Sequence, residues 1–356
     1  MSSENLHGGT DALGVPAHDF STNRNACGPC PLALDALQAA HAQQYPDPAY
    51  AALRARLADF HGVDAQRVLL AGSASEFIFR ISAHAARLGL QRAVLPAHSY
   101  GDYAQAARVW GLACVRTAPA QGDPYAPGPA LVEGAQHGAA LHWACEPSSP
   151  LGQADPALAR WQADNGAGAD LRVLDCAYQP LRLDGRPSHV AADIWQVWTP
   201  NKVLGMTGVR AAYALAPAGA QEHVAALQAL APSWVVGAHG VALLEAWTTP
   251  AVQQWIARSR AQLAQWKAQQ TALCAALGWQ VVPGSLANYF VAHWPLAEHA
   301  GMAARLAWLR SEHDIKLRDA ASFGLRGAVR LGVLPPASQQ ALASAWRAAQ
   351  SNQKTT

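Results

Sequence analysis

Four lysines occur in the 356-residue chain, at 202, 267, 316 and 354, and the surroundings of one suit it for chemistry. Lys202 lies in Trp198-Thr199-Pro200-Asn201-Lys202-Val203-Leu204-Gly205-Met206-Thr207-Gly208-Val209-Arg210, between two apolar, β-prone runs. The glycines at 205 and 208 let backbone come close to a ligand. A lysine beside a second cation and shielded from water loses its proton more readily, so its amine can condense with an aldehyde as a Schiff base. Arg210, eight residues on, would supply that cation or grip a phosphate through paired hydrogen bonds. From spacing alone, a solvated loop lysine beside a strand-end arginine explains the same pattern.

Other candidates follow the same logic. Asp175 ends the apolar run 171–174, so its carboxylate is buried or half-buried and needs a donor. That donor is either a ligand or the next turn, which the carboxylate would cap. Tyr178 stands three residues on. Ala71-Gly72-Ser73-Ala74-Ser75-Glu76 joins an expected strand, 67–70, to an expected helix running to 88, and such a turn offers free N–H groups to an anion. Ser73 as N-cap and Glu76 as capping-box acid describe the same stretch and are compatible with that use. Arg318 and Arg330 can each fork onto a carboxylate or phosphate, and each taken alone reads equally well as a surface arginine. The polar cluster 19–29 is either plain loop or a cover over a small anion. Cys27-Gly28-Pro29-Cys30 has no strand before it and Pro31 after it, which argues against a redox pair, and no second Cys-x-x-Cys or spaced Cys/His pair completes a zinc site.

The elements that must position these groups are short and alternating. Strands are expected at 93–95, 113–117, 140–145, 172–174, 194–198 and 211–215, with helices at 31–44, 49–61, 103–109 and 156–163. This predicts an α/β layer with a mostly parallel sheet, whose ligands sit beyond the strand carboxyl ends. From 217 the pattern changes to helices at 221–230, 238–247, 252–277 and 298–312, strands at 279–282, 289–293, 315–317 and 328–334, and a last helix to 349. The expected domains are an arm and helix over 1–45 that join the small domain, a large domain over 46–247, and a small α+β domain over 248–356. A length above the roughly 250–300 residues of one core agrees with two domains. Charged residues are only 14% of the chain against the roughly 25% usual for soluble proteins, so much of the surface is carried by Ala, Gln, Ser and His or covered by a partner subunit. A formal charge of +2 without any Lys/Arg run argues against nucleic acid. No apolar stretch reaches the roughly 20 residues of a membrane span, and MSSENLHGGT lacks a signal pattern, so a cytoplasmic protein is expected.

Thr199-x-x-Lys202 with Arg210 resembles the signature of fold-type-I pyridoxal-phosphate (PLP) enzymes. That resemblance implies an α/β fold, a mostly parallel central sheet flanked by helices plus a smaller α+β domain, with pyridoxal 5'-phosphate as cofactor and no metal. It implies Lys202 as the Schiff-base lysine, Thr199 and Arg210 on the cofactor phosphate, Asp175 on the pyridine nitrogen and Tyr178 on the ring O3′. His98-Ser99-Tyr100-Gly101-Asp102-Tyr103 resembles a segment of histidinol-phosphate aminotransferases in which Tyr100 would stack on the ring, while Tyr103 reads as core. Ser73, Ala74 and Ser75 resemble the phosphate-cupping turn. Tyr45-Pro46-Asp47-Pro48 with Leu53-Arg54 implies a homodimer in which Tyr45 crosses to the partner's cofactor phosphate. Two departures stand out: Asn201 replaces a commoner Ser, and Ser149 in Glu146-Pro147-Ser148-Ser149-Pro150-Leu151-Gly152 replaces the Asn that donates to O3′. Arg330 matches the α-carboxylate clamp and Arg318 a second arginine of relatives with phosphorylated substrates.

His7-Gly8-Gly9 before Asp19-Phe20-Ser21-Thr22-Asn23-Arg24-Asn25 and Gly28-Pro29 resembles the start of threonine-phosphate decarboxylases of cobalamin biosynthesis, with Ala26 where Pro is usual. It implies Asn25, Arg318 and Arg330 around L-threonine O-3-phosphate and decarboxylation to (R)-1-amino-2-propanol phosphate. The alternative is an aminotransferase acting on histidinol phosphate or a related amino acid, and a further one a non-catalytic PLP-binding protein. Which bond at Cα stands perpendicular to the ring decides between proton and carboxylate loss, and residue types alone leave that open.

Overall fold

The computed structural model describes residues 8–120, 123–131, 138–163, 168–188 and 190–353. His7 of the arm motif and Lys354 lie outside them. The chain opens with β1 (His18–Asp19), α1 (Pro31–Gln38), α2 (Ala51–His61), β2 (Val68–Ala71), α3 (Ala74–Arg87), β3 (Arg92–Leu95) and α4 (Gly101–Val109). It continues through β4 (Ala113–Ala120), β5 (Asp123–Leu131), β6 (Leu141–Cys145), α5 (Pro156–Ala163), β7 (Leu171–Asp175), β8 (Trp195–Trp198) and β9 (Ala212–Leu215). The remainder is α6 (Gln221–Ala229), α7 (Ala238–Trp247), α8 (Pro250–Ala276), β10 (Gln280–Val281), β11 (Tyr289–His293), α9 (Met302–His313), β12 (Ile315–Lys316), β13 (Arg318–Asp319), β14 (Ala328–Gly332) and α10 (Pro336–Gln353).

The large sheet has the order β2-β9-β8-β7-β6-β3-β4-β5, and its centre, β8-β7-β6-β3-β4, is parallel throughout. All five residues of β7 are buried, as a strand covered on both faces requires. Phe77, Ile78 and Ile81 of α3 pack with Tyr103, Leu69 and Trp195 on one face. The smaller sheet, β10-β11-β14-β13, is antiparallel and backed by an aromatic trio, Trp279, Trp294 and Trp346, with ring centres 4.7 to 5.5 Å apart. Residue 248, where the sequence sets the small domain's start, falls in the link between α7 and α8.

The arm belongs to both halves. β1 pairs in parallel with β12, and Arg310 of α9 holds Asp11 with two hydrogen bonds of 2.9 Å while Lys316 reaches it at 3.0 Å. Those cations hold the Asp11 carboxyl well below the ordinary carboxylate range. Gly332 is where the arm crosses β14: a Cβ there would lie 2.3 Å from the Thr22 carbonyl oxygen.

Three expectations need correction. The first helix stops at Gln38 rather than 44, because the next positions on its apolar face, His41 and Gln44, offer nothing to bury. The strand at 113–117 runs on to Ala120 and pairs back against β5, a segment whose prolines hid it and which fits an edge position. The helix expected from 298 starts at Met302, after a 3-10 turn. All six cysteines are free thiols, and Cys30 is the buried residue that precedes α1. Among the described residues, no helix is long and apolar enough to cross a membrane.

Candidate active site

The carboxyl ends of β6, β7 and β8, the start of α3, the arm and the β13–β14 pair meet around a cavity of about 270 Å³. Lys202 reaches it from a tightly wound loop. Leu204 N–H donates to the Pro200 carbonyl at 3.0 Å and Met206 N–H to that of Asn201 at 2.8 Å. Gly205 has φ +71°, and a Cβ there would stand 3.1 Å from the Gly28 backbone, so no side chain is tolerated where the arm lies against the loop. The arm in turn holds the loop: Asn25 N–H donates to the Lys202 carbonyl at 2.9 Å and Cys30 N–H to that of Leu204 at 2.8 Å. Lys202 Nζ makes no hydrogen bond or ion pair with any described residue and lies 5.3 Å from the centre of the Tyr178 ring. The Thr199 hydroxyl donates to Asn201 Oδ1 at 2.5 Å and Asn201 Nδ2 to the Val209 carbonyl at 3.2 Å, so the asparagine ties the two ends of the loop. Arg210 is exposed at the cavity lining, with Thr207 beside it.

Asp175, 5% exposed, is held from both sides. Its Oδ1 accepts from Ala177 N–H at 2.9 Å and its Oδ2 from the Tyr103 hydroxyl at 2.7 Å. One oxygen thus caps the turn, and the residue borders the cavity. Tyr103 is core, as its sequence setting suggests, and its ring stacks on Trp143 at 4.5 Å, yet its hydroxyl is what fixes Asp175. Burial first and then Asp175 push the Tyr103 phenol far above its ordinary proton affinity, so it stays a donor. Tyr178 packs edge-on against Tyr289 and accepts from Asn23 Nδ2 at 3.3 Å.

The start of α3 shows the cap read from its sequence and borders the cavity. Ser73 Oγ accepts from Glu76 N–H at 3.0 Å, while the Glu76 carboxylate reaches back to Gly72 N–H at 3.2 Å instead of the cap itself. The Ala74 and Ser75 N–H groups keep no acceptor among the described residues, and with the helix dipole such a start can receive an anion. Ser75 Oγ lies 3.2 Å from the Tyr100 hydroxyl, whose proton affinity is raised by burial and then by Asp102.

The opposite wall is cationic. Arg318 and Arg330 are direct partners across β13–β14, 7% and 8% exposed, and neither meets a carboxylate among the described residues. Like charges placed opposite each other repel, and burial sharpens the cost. Burial first, then the Arg330 charge, lowers the Arg318 guanidinium to about 10. Arg330 donates to the Ser21 carbonyl at 3.0 Å and to Ser149 Oγ at 3.5 Å, and its Nε is buried without a partner. Arg318 donates to the Asp319 carbonyl and Ser322 Oγ at 2.6 and 2.7 Å.

Two sequence candidates stand away from the cavity. Asn25 is fully buried behind the lysine loop, its amide donating to the Val203 carbonyl at 2.9 Å and Ser259 Oγ at 2.8 Å. Asn23 is the arm asparagine in the lining, with its Oδ1 buried and unpartnered. The two share a motif, and only the arm's backbone path distinguishes them. Tyr45 is 77% exposed and stacks at 4.4 Å on Trp234, outside the lining of its own chain's cavity.

The model of the family described as aminotransferase class I and II matches residues 17–347. The chain belongs to this family. It is 28% identical over 338 residues to the histidinol-phosphate aminotransferase of Ruegeria pomeroyi, covering 92% of this chain and 90% of that one. Among solved structures it is similar to the histidinol-phosphate aminotransferase of Sinorhizobium meliloti in complex with pyridoxal-5'-phosphate, with TM-score 0.73 and 19% identity over 92% of this chain and 90% of the other. It is also similar to the L-threonine-O-3-phosphate decarboxylase of Porphyromonas gingivalis, with TM-score 0.72 and 21% identity over 93% and 99%.

As a fold-type-I member of this family the protein is an enzyme, and pyridoxal 5'-phosphate is its cofactor. The residues present fit it: an unpaired lysine amine, two open N–H groups at a helix start and an anchored carboxylate border one cavity. Among the described residues no group of three His, Cys, Asp or Glu side chains is arranged to hold a metal ion.

Proposed function

We propose that this enzyme is an aminotransferase acting on a phosphorylated amino-group donor of the histidinol phosphate class. The observation that carries the reading is the Arg318–Arg330 pair, two buried cations set opposite each other without a carboxylate, an arrangement that an anionic substrate relieves. The name shared by relatives aligned along nine-tenths of the chain supports the choice of reaction. It reverses the order expected from the arm motif, where decarboxylation came first.

The bound cofactor supplies an electron-withdrawing ring that weakens the bonds at the substrate Cα. Ser73, Ala74, Ser75, Thr199 and Arg210 would hold its phosphate, Asp175 its ring nitrogen, Tyr178 and Ser149 its ring oxygen, and Tyr100 its face. Lys202 Nζ, the amine without a partner, would take the proton from Cα. Asp175, held by the Tyr103 hydroxyl and Ala177 N–H, would keep its carboxyl group fixed for the ring nitrogen. Arg330 and Arg318 orient the substrate's anionic groups, and the arm, through Asn23, closes the cavity toward solvent. In a homodimer the exposed Tyr45 would complete the partner's phosphate cup.

One observation favours the second reading, decarboxylation of L-threonine O-3-phosphate. Arg24, Arg318 and Arg330 all border the same cavity, enough cations for a carboxylate and a phosphate at once. Incubation of the holoenzyme with histidinol phosphate and 2-oxoglutarate, and separately with threonine phosphate, decides between them. Glutamate formation is the expected result; carbon dioxide released without a keto acid would replace it with the decarboxylase.

A further inference from the structure

Glu146 and Arg182 form a buried ion pair that none of the chemistry above uses. Glu146 has no exposed surface and Arg182 is 5% exposed. Glu146 Oε1 accepts from Arg182 Nη1 and from Ser188 Oγ at 3.3 Å, and its Oε2 accepts from Asp155 N–H at 2.5 Å, so both oxygens are engaged. Glu146 N–H itself donates to the Asp175 carbonyl at 3.2 Å. The pair therefore joins the loops that leave adjacent parallel strands, β6 and β7.

Those loops carry the two hydroxyls assigned to the ring oxygen. Ser149 lies three residues after Glu146, and Tyr178 four residues before Arg182. The same junction reaches the small domain: Arg182 forms a β-bridge with Ala287, Leu183 N–H donates to the Leu286 carbonyl at 2.7 Å, and Leu286 N–H to that of Gly152 at 2.7 Å. Other charges around it are Asp155, whose carboxyl is raised to about 6 by burial and, among smaller influences, by Glu146, and Arg260 of α8, lowered by burial and then by Arg182. Two ions withdrawn from water stabilise a fold no better than well-packed apolar side chains of similar volume, so stability alone gives no reason for a pair at this junction.

We propose that Glu146 and Arg182 are positioning residues whose ion pair sets the spacing between Ser149 and Tyr178, and through them the surroundings of the cofactor's ring oxygen. The inference rests on the assignment of those two hydroxyls and is independent of which substrate the enzyme takes. Arg182→Met alone would strand a buried carboxylate, so the informative variants are the double change Glu146→Leu/Arg182→Met and the single change Glu146→Gln, which keeps the shape without the charge. The readouts are Tm, the cofactor dissociation constant from a fluorescence titration, and the pH midpoint at which the visible band of the bound cofactor changes.

For the double variant the expected result is a Tm lowered only by the loss of the acceptor for Asp155 N–H, a cofactor dissociation constant about tenfold higher and a midpoint moved by roughly one pH unit. Glu146→Gln should give an intermediate result, about threefold in the dissociation constant, since a neutral hydrogen bond replaces a charge-assisted one. Parental dissociation constants and midpoints in the variants that fold, with or without a fall in Tm, would assign the pair to stability alone and overturn the proposal. These readouts need no substrate, so they stand apart from the outcome of the turnover assays.

Discussion

The two walls of the cavity obey opposite rules. On the large-domain side Asp175 and much of the lysine loop have their polar partners supplied from within the chain, while among the described residues Lys202 Nζ, Arg210 and the N–H groups opening α3 are left over. On the small-domain side Arg330 Nε and Asn23 Oδ1, with Asn288 Oδ1 behind the arm, are buried without partners, and two guanidinium groups face each other. Partners fixed within the chain hold a resident group at a constant place. Unmet ones store an affinity that only an incoming anion releases.

The sharpest way to break this contrast is at the leftover amine. Lys202→Ala should abolish the visible band of the bound cofactor and lower kcat/KM by on the order of 10⁴-fold or more. A variant that kept the band would remove the large-domain wall from the chemistry. Next in size is Arg330→Ala, which truncates one of two buried cations. A loss in kcat/KM of about 10² to 10³ is expected, mostly through KM, from the roughly 2–5 kcal/mol of an abandoned charged contact. An unchanged KM would take the substrate off that strand.

Tyr103→Phe tests the satisfied side. Removing the hydroxyl on Asp175 Oδ2 should weaken cofactor binding about tenfold, the equivalent of one hydrogen bond to a charged group, while KM for the phosphorylated substrate stays near the parental value. The arm asparagines sharpen the comparison further. Asn25→Ala should cost about 1–3 kcal/mol of stability by leaving the Val203 carbonyl and Cys27 N–H without their side-chain partner, read as a lower Tm, whereas Asn23→Ala should leave Tm in place and raise KM. Reversed results would exchange their roles.

A last contrast comes from histidines outside the cavity lining. Burial lowers both His61 and His84 to about 4. The unfolded chain takes up these protons near pH 6.5 and the folded chain only near 4, so their contribution is intact above 6.5 and is lost as pH falls between those values. Denaturant titrations at pH 7.5 and 5 should show the loss, and His61→Phe should reduce it.

Much of the site could be read before any fold was known, because Lys202, Asp175, Tyr178 and the Ser73 turn each end or follow an apolar run, a local pattern. What escaped reading was non-local. Nothing near Tyr103 in the sequence reveals that its hydroxyl meets a carboxylate 72 residues away. Asn23 and Asn25 are alike as residues, and only the arm's contact with the lysine loop sends one inward and the other behind it. The β4–β5 hairpin was masked by its prolines, since local propensity reports poorly on an edge strand stabilised by its neighbour.

The route of the arm also dictates an order of assembly. His18 pairs with Ile315, and Phe20 accepts a hydrogen bond from Gly332, so this segment finds its seats only once the chain through residue 332 has been made. Contacts of such long sequence separation carry a large loop-closure cost, which favours late docking of this segment in folding.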